Sequence, residues 1–149
     1  MTISNYPVWT PTIRKTNHNP LRLRQKTLDV IFQIDYLADS ISYLYNDDVH
    51  PSQCDTSTLT INDTVDKVGR LCGYVEKTNI SDVANRYEIV VLLSYLEEQL
   101  EKLYSLITDL RPICRENTKR NGKLQKEIIR QFEEILETRE NLKSINHWQ

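Results

Sequence analysis

Apolar residues recur at alternating steps of four and three along the second half of this sequence. The row, called the seam here, consists of Ile89, Leu93, Leu96, Leu100, Leu103, Ile107 and Leu110, continued in the same phase by Leu124, Ile128, Ile135, Leu142 and Ile145. A mean step of about 3.5 residues keeps one stripe of an α-helix against a neighbouring helix, as in a coiled coil. The seam therefore favours long packed helices and leaves little room for a catalytic pocket.

Composition supports the same fold class. The chain has 149 residues with only 3 glycines and 5 prolines, whereas an all-β domain needs many tight turns. The three cysteines are scattered and do not predict a disulfide framework. The sequence shows no basic-then-apolar leader and no apolar run of about 18 residues, which predicts an intracellular protein without membrane insertion.

The remaining segments differ from the seam in composition. Residues 1–20 contain three prolines and no apolar period, which predicts a flexible, disordered tail. Residues 46–60 are rich in Asn, Asp, Ser and Thr and predict a loop. The expected fold is all-α: an elongated coiled-coil or helical-bundle subunit of three to four helices within residues 21–145. The predicted helices are at about 21–45, 61–77, 81–111 and 112–145.

The sequence around Pro112 has two interpretations. A proline inside a helix costs about 3 kcal/mol and kinks or ends it, and the polar residues 117–122 could form a hairpin. Against a hairpin, Asn117 and Asn121 continue the seam without a break in phase. A kinked, nearly continuous helix is therefore the favoured prediction. Asn117, Asn121 and Gln131 either fix the register of the seam or are polar residues tolerated near the kink.

No residue pattern points to catalysis. The three histidines lie far apart, and although His50 and Cys54 have a ligand-like spacing, no second pair completes a zinc site. No nucleophile is paired with a recognisable base, and no glycine-rich phosphate loop is present. The prediction is a protein that is not an enzyme, with no catalytic, cofactor-binding or metal-binding residues and no small-molecule substrate.

Charge is unevenly distributed although the formal net charge is −2. A basic stretch near the seam's centre contains Arg111, Arg115, Lys119, Arg120, Lys123, Lys126 and Arg130. One interpretation is a solvated helix face. The other is contact with an acidic polymer such as DNA, RNA or a microtubule surface.

Two segments resemble a known family. The second half shows Leu92-Leu93-x-x-Leu96, Leu103, Leu110, Arg111-Pro112, Ile113 and Glu116, followed by Leu124, Ile128, Phe132 and Ile135. The first half shows Leu28-Asp29-Val30-Ile31-Phe32-Gln33 and later His50-Pro51. Together these resemble the spindle-and-kinetochore-associated protein 2 family, the small coiled-coil subunits of the Ska complex. The chain departs from the family in the tail before Leu21 and in the extra predicted helix near 61–75, where the family has a short linker.

The resemblance implies a non-enzymatic scaffold. Members of the family pair with two larger coiled-coil subunits through interleaved helices, and the assembled complex sits at the outer kinetochore. It helps chromosomes stay attached to spindle microtubules in mitosis, and the microtubule-binding domain belongs to a partner subunit. The implied location is the kinetochore and spindle, in nucleus and cytoplasm, with at most an indirect association with microtubules.

The main hypothesis is accordingly a structural subunit of a hetero-oligomeric coiled-coil complex. Its seam would find cover only on other coiled-coil subunits. Two alternatives stay open: an autonomous four-helix bundle that acts as a binding module, and a small coiled-coil subunit of a membrane-trafficking complex. The predicted partner interface consists of Val30, Ile34, Leu37, Ile41, Leu93, Leu96, Leu100, Leu103, Ile107, Leu124, Ile128, Phe132 and Ile135.

Overall fold

The structure, a computed structural model, describes residues 20–46, 48–77 and 86–145. Over these residues it is 91% helical with four α-helices and no strand, which confirms the predicted all-α fold. The helices are α1 (Pro20–Ser40), α2 (Pro51–Lys77), α3 (Arg86–Leu110) and α4 (Lys119–Ile145), with 3-10 turns at Ser42–Tyr45 and Arg111–Ile113. None of the described helices is both long and apolar enough to cross a membrane. The predicted tail lies outside the described residues except for Pro20.

Consecutive helices pack side by side in opposite directions. Between α1 and α2, the amide of Gln33 donates to Oγ1 of Thr64 at 3.3 Å, and Ser57 donates to the carbonyl of Ser40 at 2.9 Å. As the residue number rises in one helix it falls in the other, which is the sign of antiparallel packing. The same relation holds between α2 and α3 and between α3 and α4. An ion pair from Arg139 to Asp35 connects α4 to α1, so the chain forms an up-down-up-down four-helix bundle.

One apolar core runs through the bundle and draws on every helix. Leu37, Val68, Leu100 and Ile128, one from each helix, all have 0% of their surface exposed. Removing a side chain of this size from water stabilises the fold by about 1.5–3 kcal/mol. The core is closed within a single copy of this chain.

The predicted loop at 46–60 is wrong over most of its length, because α2 already begins at Pro51. The first turns of α2 carry small polar residues in place of large apolar ones. Ser57, Thr60 and Thr64 are buried, and the two threonines donate to the carbonyls four residues earlier, at 3.0 and 2.7 Å. The two threonine hydroxyls are thus bonded within α2, and that of Ser57 is bonded to α1. All three residues can therefore enter the core without a large apolar side chain.

The predicted continuous helix through Pro112 is also wrong. Helix α3 ends at Leu110, Pro112 lies in the short 3-10 turn, and α4 returns antiparallel from Lys119. Proline blocks the helix, and Asn121 holds the turn from inside: its Nδ2 donates to the carbonyls of Ile113 at 2.7 Å and Glu116 at 2.8 Å. Asn121 keeps the phase of the seam because it faces the core from the returning helix.

Candidate partner-binding surface

The residues predicted to meet a partner lie instead in the core of this chain. Of the thirteen, all except Leu124 are buried, and Leu124 packs against the same core while partly exposed. The structure does bring them together, as the seam predicted, but helices of the same chain cover them. The expectation that they find cover only on other polypeptides is therefore wrong. A partner could reach them only by opening the bundle.

The outer side of α3 carries large apolar side chains that the core does not use. Tyr87, Val91 and Tyr95 are 79%, 46% and 49% exposed. Their spacing of four places them along one outward stripe of the helix. Single exposed apolar residues are ordinary, but a contiguous set on one face is typical of an interaction site. These three residues are called the α3 face.

A cleft lies beside the α3 face. It has a volume of about 430 Å³ and is lined by Tyr87, Val91 and Leu92 of α3 and by Asn141 and Ile145 of α4. Leu92 and Ile145 also pack against the core, so the cleft adjoins the apolar interior of the bundle. The α3 face and the cleft together form a shallow surface at the end of the bundle where α3 begins and α4 ends.

Sequence reasoning about the seam missed the α3 face. Its residues lie on the opposite side of α3 from the seam, and only a search for a second stripe at steps of four would have found them. Phe32 and Tyr36 on α1 are likewise four residues apart and face outward, with 60% and 61% of their surface exposed.

The other end of the bundle holds two buried cysteines and a buried tyrosine. Burial raises the pKa of the Cys54 thiol to about 11. Burial also raises the pKa of Tyr43, whose hydroxyl oxygen lies 3.0 Å from Oγ of Ser57, within hydrogen-bond distance. A thiol with this pKa stays protonated near neutral pH and is a poor nucleophile. Cys54 is therefore a buried, protonated side chain that packs at this end of the bundle.

Buried amides lie where α3 meets α4. The Nε2 atom of Gln99 donates to the carbonyl of Glu134, and that of Gln131 donates to the carbonyl of Gln99, both at 3.3 Å. Gln131 and Asn121 are thus buried and bonded within the chain, whereas Asn117 is exposed. The amides of Gln99 and Gln131 thus join α3 to α4, whereas that of Asn121 joins α4 to the preceding turn.

Within residues 20–46, 48–77 and 86–145, no group of three or more His, Cys, Asp or Glu side chains is arranged to hold a metal ion. His50 instead lies 3.4 Å from the carboxylate of Asp48. This is the distance from Nε2 of the imidazole to a carboxylate oxygen, and both residues lie in the connection between α1 and α2.

Comparison of the chain with protein-family models, with curated proteins and with solved structures finds no match. The resemblance to the spindle-and-kinetochore-associated protein 2 family therefore stays a prediction.

Proposed function

We propose that this chain is a non-enzymatic, self-contained four-helix module that binds another protein on the outside of its bundle. The observation that carries this proposal is the α3 face, three large apolar side chains at steps of four on a helix whose inner side is already fully packed. Such a surface gains free energy when it is covered, at about 25 cal/mol per Å² of apolar area.

The partner that fits this surface is an amphipathic α-helix. Helices dock in shallow grooves through side chains at steps of three and four, and the α3 face offers a complementary stripe beside a cleft. Exposed Glu88 borders the stripe, and Glu98 follows Val91 on the same side of α3. Two carboxylates at the rim favour a helix that carries Lys or Arg beside its apolar residues.

Substitutions on the α3 face test this proposal. Val91→Asp and Tyr95→Asp place a charge on the stripe, and Leu59→Asp is the matched control because Leu59 is 66% exposed on α2. Proteins that co-purify with the wild-type chain, identified by mass spectrometry, should be retained by Leu59→Asp and lost from both α3 variants. Equal retention by all three variants would show that the α3 face is not the interface. All three should keep the wild-type unfolding midpoint, since each position is exposed.

Expression of the isolated chain tests whether the module is self-contained. The closed core predicts a compact monomer that unfolds cooperatively, and Leu100→Ala, at a position with 0% exposure, should cost about 2–5 kcal/mol of unfolding free energy. Aggregation that is relieved only by co-expression with another subunit would contradict the proposal and favour an obligate coiled-coil assembly.

A second candidate is a subunit of a kinetochore complex. The segment Leu28–Gln33 supports it, because Phe32 in that segment is 60% exposed beside Tyr36 on the outer side of α1. Larger coiled-coil subunits could then pack on α1 without opening the bundle. A fluorescent fusion should concentrate at kinetochores in mitosis; a signal absent there throughout mitosis rejects this candidate, and co-purification with trafficking proteins would favour that class instead.

A further inference from the structure

Five cations crowd the end of the bundle where α3 turns into α4. Arg115 lies in the turn, and Lys119, Arg120, Lys123 and Lys126 lie in the first turns of α4; all five are exposed. Lys119, Lys123 and Lys126 are spaced by four and three and so share one side of the helix. These five residues are called the basic end.

No cation of the basic end forms an ion pair with any residue that the structure describes. Further along the same helix the opposite holds. Arg130 lies near Glu127 and Glu134, and Lys143 lies 3.6 Å from Glu140. The positive charge is neutralised in the later turns of α4 and left free at its start.

The cations at the start of α4 also interact unfavourably with the helix dipole. The N-terminus of a helix carries a partial positive charge and is stabilised by acidic residues in its first turn. Helix α4 has no acidic residue there, and Lys119 and Arg120 occupy the positions instead. A sequence shaped by stability alone would avoid this arrangement, so its cost points to a ligand with negative charge.

We propose that the basic end binds a short acidic segment of another polypeptide. The site is small, since Lys119 to Lys126 spans about 10 Å of helix, which an extended peptide covers with a few residues. Acidic groups border the basic end. Asp48 and Glu116 line a second cleft, which Arg115 also lines, and the whole chain has a formal net charge of −2. A nucleic-acid duplex, with a charge about every 1.7 Å along a stiff axis, would extend over those repelling groups.

This surface lies at the opposite end of the bundle from the cleft beside the α3 face. The proposal therefore does not depend on the function proposed above. If the α3 face proves not to bind a partner, the proposal for the basic end still stands. If the basic end proves not to bind an acidic peptide, the function proposed for the α3 face still stands.

The test measures binding of a fluorescent oligoglutamate peptide to the full chain by anisotropy. The triple variant Lys119→Glu, Lys123→Glu and Lys126→Glu should weaken binding by roughly tenfold or more, because three attractive contacts become repulsive. The matched control variant is Lys67→Glu, Lys77→Glu and Lys102→Glu, at three exposed positions outside the basic end. It changes the net charge by the same amount as the triple variant. It should bind within about twofold of wild type, and wild-type affinity should fall as salt is added.

Three results would overturn the proposal: no binding of the peptide at low salt, equal loss in the control variant, or tighter binding of a DNA duplex of equal charge. If the triple variant fails to fold, amide chemical shifts of the wild-type chain decide the matter. The peptide should then shift residues 115–126, and shifts centred elsewhere would reject the basic end as the site.

Discussion

The hydroxyl of Thr138 in α4 donates a hydrogen bond of 2.8 Å to Oε1 of Gln99 in α3. Both side chains are buried, with 3% and 4% of their surface exposed. A buried polar atom that loses its partner retains its desolvation cost, whereas replacing both partners with apolar groups can be nearly neutral. This pair is therefore expected to favour the observed alignment of α3 with α4.

Single and paired substitutions at these positions should not be additive. Thr138→Val leaves Oε1 of Gln99 without its partner and should cost about 1–3 kcal/mol of unfolding free energy. The double variant Gln99→Leu with Thr138→Val should lose less than the sum of its two single variants. Urea unfolding of all four proteins measures the coupling, and strictly additive losses would show that the bond does not join the two helices energetically.

Replacing Gly73 with alanine should stabilise α2. Glycine within a helix is less favourable than alanine by about 1 kcal/mol, and a Cβ at Gly73 would meet no atom within 4 Å. The unfolding midpoint of Gly73→Ala should therefore rise. Gly69→Ala is the comparison, since its Cβ would make an ordinary contact of 3.6 Å with Oε2 of Glu97. A lower midpoint for Gly73→Ala would mean that this surface of α2 is packed more tightly than the structure shows.

Because of the ion pair between Arg111 and Asp55, the free energy of unfolding is expected to depend on pH. The guanidinium donates to both carboxylate oxygens, at 2.5 and 3.0 Å, and this contact lowers the pKa of Asp55. A carboxyl with a lowered pKa in the folded state contributes stability above its unfolded pKa of about 3.9. That contribution is lost as the pH falls through the lowered value.

Arg111→Met should therefore raise the pKa of Asp55 toward its usual range in an NMR titration of the carboxyl carbon. Arg70→Met is the control, because Arg70 pairs with Asp66 on the outer side of α2 and should leave Asp55 unchanged. An unaltered pKa in Arg111→Met would show that the contact does not persist in solution.

The seam correctly predicts which side of α3 and of α4 is buried, because a repeating apolar stripe has to be covered. It does not predict what covers it. Leu100 and Ile128 have the same pattern whether their neighbours belong to this chain or to another one. The turn at Pro112 brings α4 back against α3 in the same chain. One of the residues that stabilise this turn is Asn121, which sequence periodicity counts as part of the seam.

The start of α2 and the α3 face could not be read from the same signal. Ser57 and Thr60 are core residues without a large apolar side chain, so a search for hydrophobic periodicity places them in a loop. Tyr87 and Tyr95 are large and partly apolar but face outward, on the side of α3 to which the periodicity of the seam assigns no role. Both cases depend on which groups find hydrogen-bonding partners or neighbours in the folded chain, and composition alone does not contain that information.

The contacts of Asn121 have a consequence for how copies of this chain interact. Because the apolar phase runs unbroken from α3 into α4, a straightened connection would still present matching side chains to a neighbour. Two molecules could then exchange their final helices and rebuild the same interior twice, as in domain-swapped dimers. The hydrogen bonds that Asn121 donates to the carbonyls of Ile113 and Glu116 stabilise the turn and so oppose that exchange.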